Sequence, residues 1–274
     1  MQLRTVGLLG GMSWESTAVY YSTINRAVRS KCSGLTSAPL LLHSFDFAHI
    51  AALQTQNKWD DLARLLSDAA LQLQSAGAAG IAICTNTMHK VAESVVARLT
   101  VPLIDIRGVT GTALINTQCK RVGLLGTLYT MQDGFFRDYL CEQYALEVVT
   151  PSLHSQQTIH TIIFDELCQG AVIGSSRMAA LSIIEELVLQ GAQAVVLGCT
   201  ELMLLLNDDC CAIPLFDTTT IHAESIAEFA MGSKIIACNR DEPTTKHARH
   251  RLGNTAYAAN GHEEIYLEKP ATLG

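Results

Sequence analysis

Two apolar runs in this chain end on a sulfur or a hydroxyl. In "AICTNTMHKV" the run stops at Cys84 and Thr85, followed by Asn86 and Thr87; in "GAQAVVLGCTE" it stops at Cys199, followed by Thr200 and Glu201. A thiol with an ordinary pKa near 8.5 is brought lower by helix N-termini or nearby donors, so it can serve as acid, base or nucleophile near neutral pH. A threonine hydroxyl is a far weaker acid and cannot form a standing base. The chemistry open to such groups is proton transfer, or covalent attack by Cys199 with a histidine as its base. His89 and the pair Cys210–Cys211 match no common metal-ligand spacing, so no metal is expected.

Three segments of the first half recur in order in the second. "VGLLG" begins at Val6 and again at Val122, "GAAGIAICTNT" from Gly77 resembles "GAQAVVLGCTE" from Gly191, and "VPLID" from Val101 resembles "IPLFD" from Ile213. Their spacings of 116, 114 and 112 residues imply two similar halves. Aligning Gly77 with Gly191 pairs Thr85 with Cys199. Cys84 then falls one residue early, facing the opposite side of a strand as a small buried hydrophobe.

Helical periodicity between these runs, over Ser16 to Val28, Trp59 to Ala76, Met131 to Gln143 and Ser175 to Leu189, gives alternating strand and helix. Continuous Val, Ile and Leu runs suit strands covered on both faces. The fold class expected is therefore α/β: two open parallel-sheet domains from an internal duplication, with the active-site cleft between them. The first half spans 1–108, completed by 216–232, and the second spans 109–215. In such sheets ligands bind beyond the carboxyl ends of the strands. That places Met12, Ser13, Asn86, Thr87, Thr127, Thr130, Thr200 and Glu201 as candidate substrate-binding groups, offering helix-start N–H groups and hydroxyls to a carboxylate. Each could equally be a plain helix cap.

Composition narrows the class. The 274 residues are 49% hydrophobic and 16% charged, enough to bury a sizeable core, and no apolar run is long enough to span a bilayer. A net charge of −7 offers no basic field for nucleic acid or an anionic membrane. Nine scattered cysteines without a CxxC pair read as reduced thiols in a cytoplasmic protein. "GLLGGMSWEST" is not a dinucleotide fingerprint, and no phosphate-binding loop of the GxxxxGK[ST] type occurs. Asp105 and Asp217 share a repeat position that suggests a matched turn role; Asp46 and Glu166 read as fold-stabilising carboxylates. From Ser233 onward the chain turns polar and charge-rich, without a counterpart in the first half, as a partly ordered extension would.

The GLLGGMS turn, the CTNTMH segment, the GTLYT turn and the GCTE segment, in that order over about Val6 to Glu228, resemble the aspartate/glutamate racemase family. The resemblance implies a pseudosymmetric enzyme, usually a homodimer, that inverts the α-carbon of an amino acid without pyridoxal phosphate, metal or other cofactor, using one cysteine from each half. Here the first of those positions is Thr85 and the second Cys199. A threonine/cysteine pair resembles a subgroup that favours L-substrates, with Cys199 deprotonating the L-form and Thr85 returning the proton. Many members carry a lysine about thirty residues before the second cysteine; at that approximate place stands Cys168. Two other classes stay open: a non-catalytic amino-acid or dicarboxylate-binding protein on the same fold, and another Cys199-dependent decarboxylase or isomerase.

Overall fold

A computed structural model of the chain describes residues 2–206 and 211–233; the extension expected from 233 onward lies, apart from Ser233, outside the described residues. The first half runs β1 (Val6–Gly10), α1 (Trp14–Lys31), β2 (Leu40–Ser44), α2 (Phe47–Thr55), α3 (Trp59–Ser75), β3 (Gly80–Ile83), α4 (Ala92–Val96), β4 (Leu103–Ile104) and α5 (Ile106–Ile115). The second runs β5 (Arg121–Gly126), α6 (Leu128–Gln132), α7 (Arg137–Tyr144), β6 (Glu147–Val149), α8 (Leu153–Thr161), α9 (Gly174–Leu189), β7 (Ala194–Gly198), α10 (Leu202–Leu205), β8 (Leu215–Asp217) and α11 (Thr218–Ala230).

The two sheets have the same topology. Strand order is β2-β1-β3-β4 in one and β6-β5-β7-β8 in the other, parallel throughout. The recurring segments are the equivalent strands: β1 with β5, β3 with β7, β4 with β8. Because side chains alternate along a strand, each sheet buries two apolar faces. In β3, Ile81 and Ile83 join a core shared with α3 and α4, whereas Ala82 and Cys84 enter the opposite core with Tyr20, Ile24 and Ile226 of α1 and α11. In β7, Val195 and Leu197, with Cys199 just after the strand, share one core, and Ala194 and Val196 the other. The chain crosses back at the end: β8 pairs in the second sheet, and α11, directly after it, lies against α1 and α5.

Helix ends are set locally. Asp105 and Asp217, at matched positions after β4 and β8, N-cap α5 and α11 by accepting from the backbone N–H of Arg107 and of Thr219 and Thr220. Asp46 does the same for α2. The stretch Met131 to Gln143, expected as one helix, is instead two, α6 and α7, broken at Gly134. Its φ of +77° belongs to the left-handed region, and a Cβ there would strike the Asp138 carboxylate. Among the described residues no helix is long and apolar enough to cross a membrane.

Candidate active site

The carboxyl ends of β1, β3, β5 and β7 point at one another across a single cleft. Thr85, Asn86 and Thr87 line it from the first half and Gly198, Cys199, Thr200 and Glu201 from the second, with Met12 and Thr127 from the turns after β1 and β5. The turns bond crosswise. Ser13 and Ser16, after β1, reach Glu201 after β7; Thr127, after β5, meets Thr87 after β3 at 3.1 Å. Asn86 also crosses, donating through Nδ2 to Thr218 Oγ1 at 3.0 Å.

Cys199 is buried, and its Sγ lies 3.0 Å from Glu201 Oε2, positioned to donate its proton. Burial foremost, and then the Glu201 charge, push the thiol pKa well above its ordinary value. Glu201 Oε2 also accepts from Thr200 Oγ1 at 2.7 Å, while Oε1 accepts from Ser13 Oγ at 2.7 Å and Ser16 Oγ at 2.6 Å. The buried Glu201 carboxyl group thus has four donors around it, the Cys199 thiol and three hydroxyls. Cys168 half-faces the same region; its pKa is raised by burial and by Glu201 and Glu15.

Cys84 stands apart. It is fully buried in the α1/α11 core, lines no part of the cleft, and burial alone raises its pKa. Thr85 lines the cleft, and its turn is braced from beneath: the Thr85 carbonyl accepts from His89 Nδ1–H at 2.8 Å, since His89 Nε2 accepts from the Ile106 N–H at 3.2 Å. Burial lowers the His89 pKa, leaving it neutral. Below it sits the ion pair Asp105–Arg107, with Arg107 Nη2 at 2.6 Å from Asp105 Oδ2 and both side chains at 1–2% exposure. Burial opposes the Asp105 charge, but Arg107 overrides it and holds the pKa at about 2. His222, neutral with its pKa pushed down to about 3 by burial, donates to the Ile104 carbonyl and accepts from Tyr20.

Of the candidate binding residues, Met12, Asn86, Thr87, Thr127, Thr200 and Glu201 line the cleft; Ser13 and Thr130 do not. Ser13 N-caps α1 and bonds Glu201, and Thr130 is the residue whose N–H the Thr127 cap receives. Asn86 lines the cleft, and its Oδ1 is buried without a hydrogen-bond partner among the described residues. Sequence reasoning singled out Cys168 by resemblance but missed the rest of the outer wall, formed with it by Phe47 and Gln54 of α2 and by Ile163 and Phe164 of the irregular segment after α8. One signal existed: Phe47, Ile50 and Gln54 share a helical face, so an amide falls in a buried slot. Glu166 accepts from Ser176 Oγ at 2.8 Å and stays outside the cleft lining.

The sequence profile of the Asp/Glu/hydantoin racemases matches residues 9–226. A curated relative, the broad-specificity amino-acid racemase RacX of Bacillus subtilis, is 25% identical over 80% of this chain and 95% of its own. Among solved structures, a candidate Asp/Glu racemase from Yersinia pestis is 44% identical, with a TM-score of 0.79, over 84% of this chain and all of that one. An aspartate racemase homologue from Pyrococcus horikoshii is 30% identical, with a TM-score of 0.73 and the same coverage.

Proposed function

From the premise that the chain belongs to the Asp/Glu/hydantoin racemase family, we propose that it racemises α-amino acids without a cofactor, with Cys199 and Thr85 acting on opposite faces of the α-carbon. The observation that carries this reading is their placement: they occupy equivalent strand ends, β7 and β3, and line one cleft from opposite halves. Inversion at carbon needs one proton-transfer group on each face, which two similar halves can supply.

With the cleft empty, Cys199 is a thiol held by Glu201. A substrate ammonium, seated against Asn86 Oδ1 and the Glu201 carboxylate, favours the thiolate electrostatically. The thiol proton passes to Glu201 Oε2; the thiolate then takes the α-proton of the L-enantiomer, leaving a carbanion conjugated with the carboxylate. Thr85 Oγ1–H returns a proton to the other face, the alkoxide so formed regains its own from water, and the hydroxide left takes the proton that Glu201 received, which restores the starting state. The alkoxide step is the harder one, so exchange starting from the L-form is the faster. Hydroxyls of Thr87, Thr127 and Thr200 bind the α-carboxylate. Family membership by itself points to aspartate or glutamate, and to a cytoplasmic homodimer; exposed Trp14 and Tyr21 on α1 offer such a dimer an apolar face.

Purified protein incubated in heavy water with each enantiomer, without added cofactor, tests the reading. Inverted product carrying α-deuterium is expected from both enantiomers, with equal kcat/KM because their equilibrium constant is one; α-deuterium exchange with retained configuration should be faster from L, and Thr85→Cys should raise it from D. Absence of exchange from every amino acid tried would overturn the reaction; equal retained-configuration exchange from L and D would overturn the division of roles.

A further inference from the structure

The cleft has two chemically distinct ends. At the strand tips are hydroxyls, the Asn86 amide, Cys199 and the saturated Glu201 carboxylate. At the other end Phe47 of α2 and Phe164 of the second half meet across the gap, their rings nearly parallel at 17° with centroids 6.4 Å apart. Beside them stand Ile163, the Cys168 thiol and the Gln54 amide, whose Nε2 has only the weakly accepting Met88 sulfur at 3.2 Å.

None of the described residues lining this cleft is a lysine, arginine or histidine. Two of the nearby cations are already engaged. Arg107 is bound to Asp105 and Glu93, and Lys90 to Asp133 while lying over the Trp59 ring. Among the described lining residues the one carboxyl group is that of Glu201. The rise in the Cys168 pKa comes from burial and then from Glu201 and Glu15. A second substrate carboxylate at this end would lose its water, gain only neutral donors and stand on the same side of the cleft as the Glu201 carboxyl group. An aliphatic or thioether side chain would instead replace water against rings, sulfur and methyl groups.

Resting on the racemase reading, we infer that the substrates of this cleft are α-amino acids with uncharged aliphatic or thioether side chains, and that Phe47, Phe164 and Gln54 set this preference over aspartate and glutamate. Among the described residues Gln54 supplies the one side-chain amide of the outer wall, so it tolerates a modest polar side chain without demanding charge.

Two measurements on the full chain test this. The first is kcat/KM for α-deuteration of L-leucine and L-methionine against L-aspartate and L-glutamate, whose shapes they approximate. The neutral pair should lead by about tenfold or more, the lower end of what a mismatch in an apolar pocket discriminates. Phe164→Arg, which puts a cation on the half-exposed wall, should raise the acidic pair at least tenfold and depress the neutral pair. The second is thermal stabilisation by each amino acid, read without turnover. A lead for aspartate or glutamate in either measurement overturns the substrate inference and leaves the racemase reading standing. Tighter binding of leucine and methionine with no exchange from any amino acid supports the ligand class and overturns the racemase reading. Equal stabilisation and equal rates for both classes also overturn the inference.

Discussion

Asp105→Asn is expected to destabilise the fold more than its position on a short helix suggests. The side chain is 1% exposed and binds Arg107, itself 2% exposed, through Nε and Nη2, while accepting the Arg107 N–H that caps α5. Removing the charge leaves Arg107 with Glu93, whose side chain is 66% exposed, as its remaining ion-pair partner among the described residues. Breaking one partner of a buried pair costs about 3–5 kcal/mol. For a chain of this size that corresponds to a loss of roughly 10 °C in Tm. The pH dependence gives the sign. The folded pKa of about 2 lies below the ordinary 3.8, so Asp105 contributes stability that is present above about pH 4 and lost as pH falls through 2. The shift corresponds to about 2 kcal/mol. Urea denaturation followed by circular dichroism at pH 7 and pH 3 should therefore show a wild-type advantage that narrows on acidification. A loss under about 1 kcal/mol at pH 7, or a gap unchanged between the two pH values, would refute the reasoning.

Three further outcomes follow from single contacts. A Cβ on Gly111 of α5 would strike the Tyr144 ring of α7, so Gly111→Ala should lower stability by about 1–2 kcal/mol even though alanine favours helix by up to about 1 kcal/mol; an increase in Tm would show that the helices can part. Glu201→Gln removes a charge that raises the Cys199 pKa, so alkylation of the peptide containing Cys199, followed by mass spectrometry, should shift to lower pH; a shift to higher pH would contradict the thiol–carboxylate contact. Cys84→Ala truncates a buried side chain in an apolar core and should lower stability by about 1 kcal/mol with turnover per folded molecule nearly unchanged; a comparable loss of turnover would put Cys84 in the chemistry.

The parts of the fold legible in sequence were those with long-range repetition. The continuous apolar runs of β1, β3, β5 and β7 are central strands buried on both faces, and their near-constant spacing carries the duplication. Strands β2 and β6 lie at sheet edges with half-exposed residues, which leaves a much weaker pattern. The strand-tip residues could be located because strand ends in parallel sheets face the ligand. The outer wall could not: Phe47 and Gln54 look like one face of an ordinary amphipathic helix, and Ile163, Phe164 and Cys168 sit on an irregular π- and 3₁₀-turn whose direction no periodicity encodes. The brace under Thr85 is likewise invisible, because His89, Asp105 and Arg107 meet only after β4 is laid beside β3.

The central claim is that Cys199, and not Cys84, exchanges the α-proton. The most direct test is α-deuterium incorporation from L-amino acids in heavy water by Cys199→Ala and Cys84→Ala, each normalised to folded protein. Loss of roughly a hundred- to ten-thousand-fold in Cys199→Ala, beside near wild-type exchange in Cys84→Ala, is the result expected for a positioned acid–base group. Active Cys199→Ala beside well-folded, inactive Cys84→Ala would contradict it.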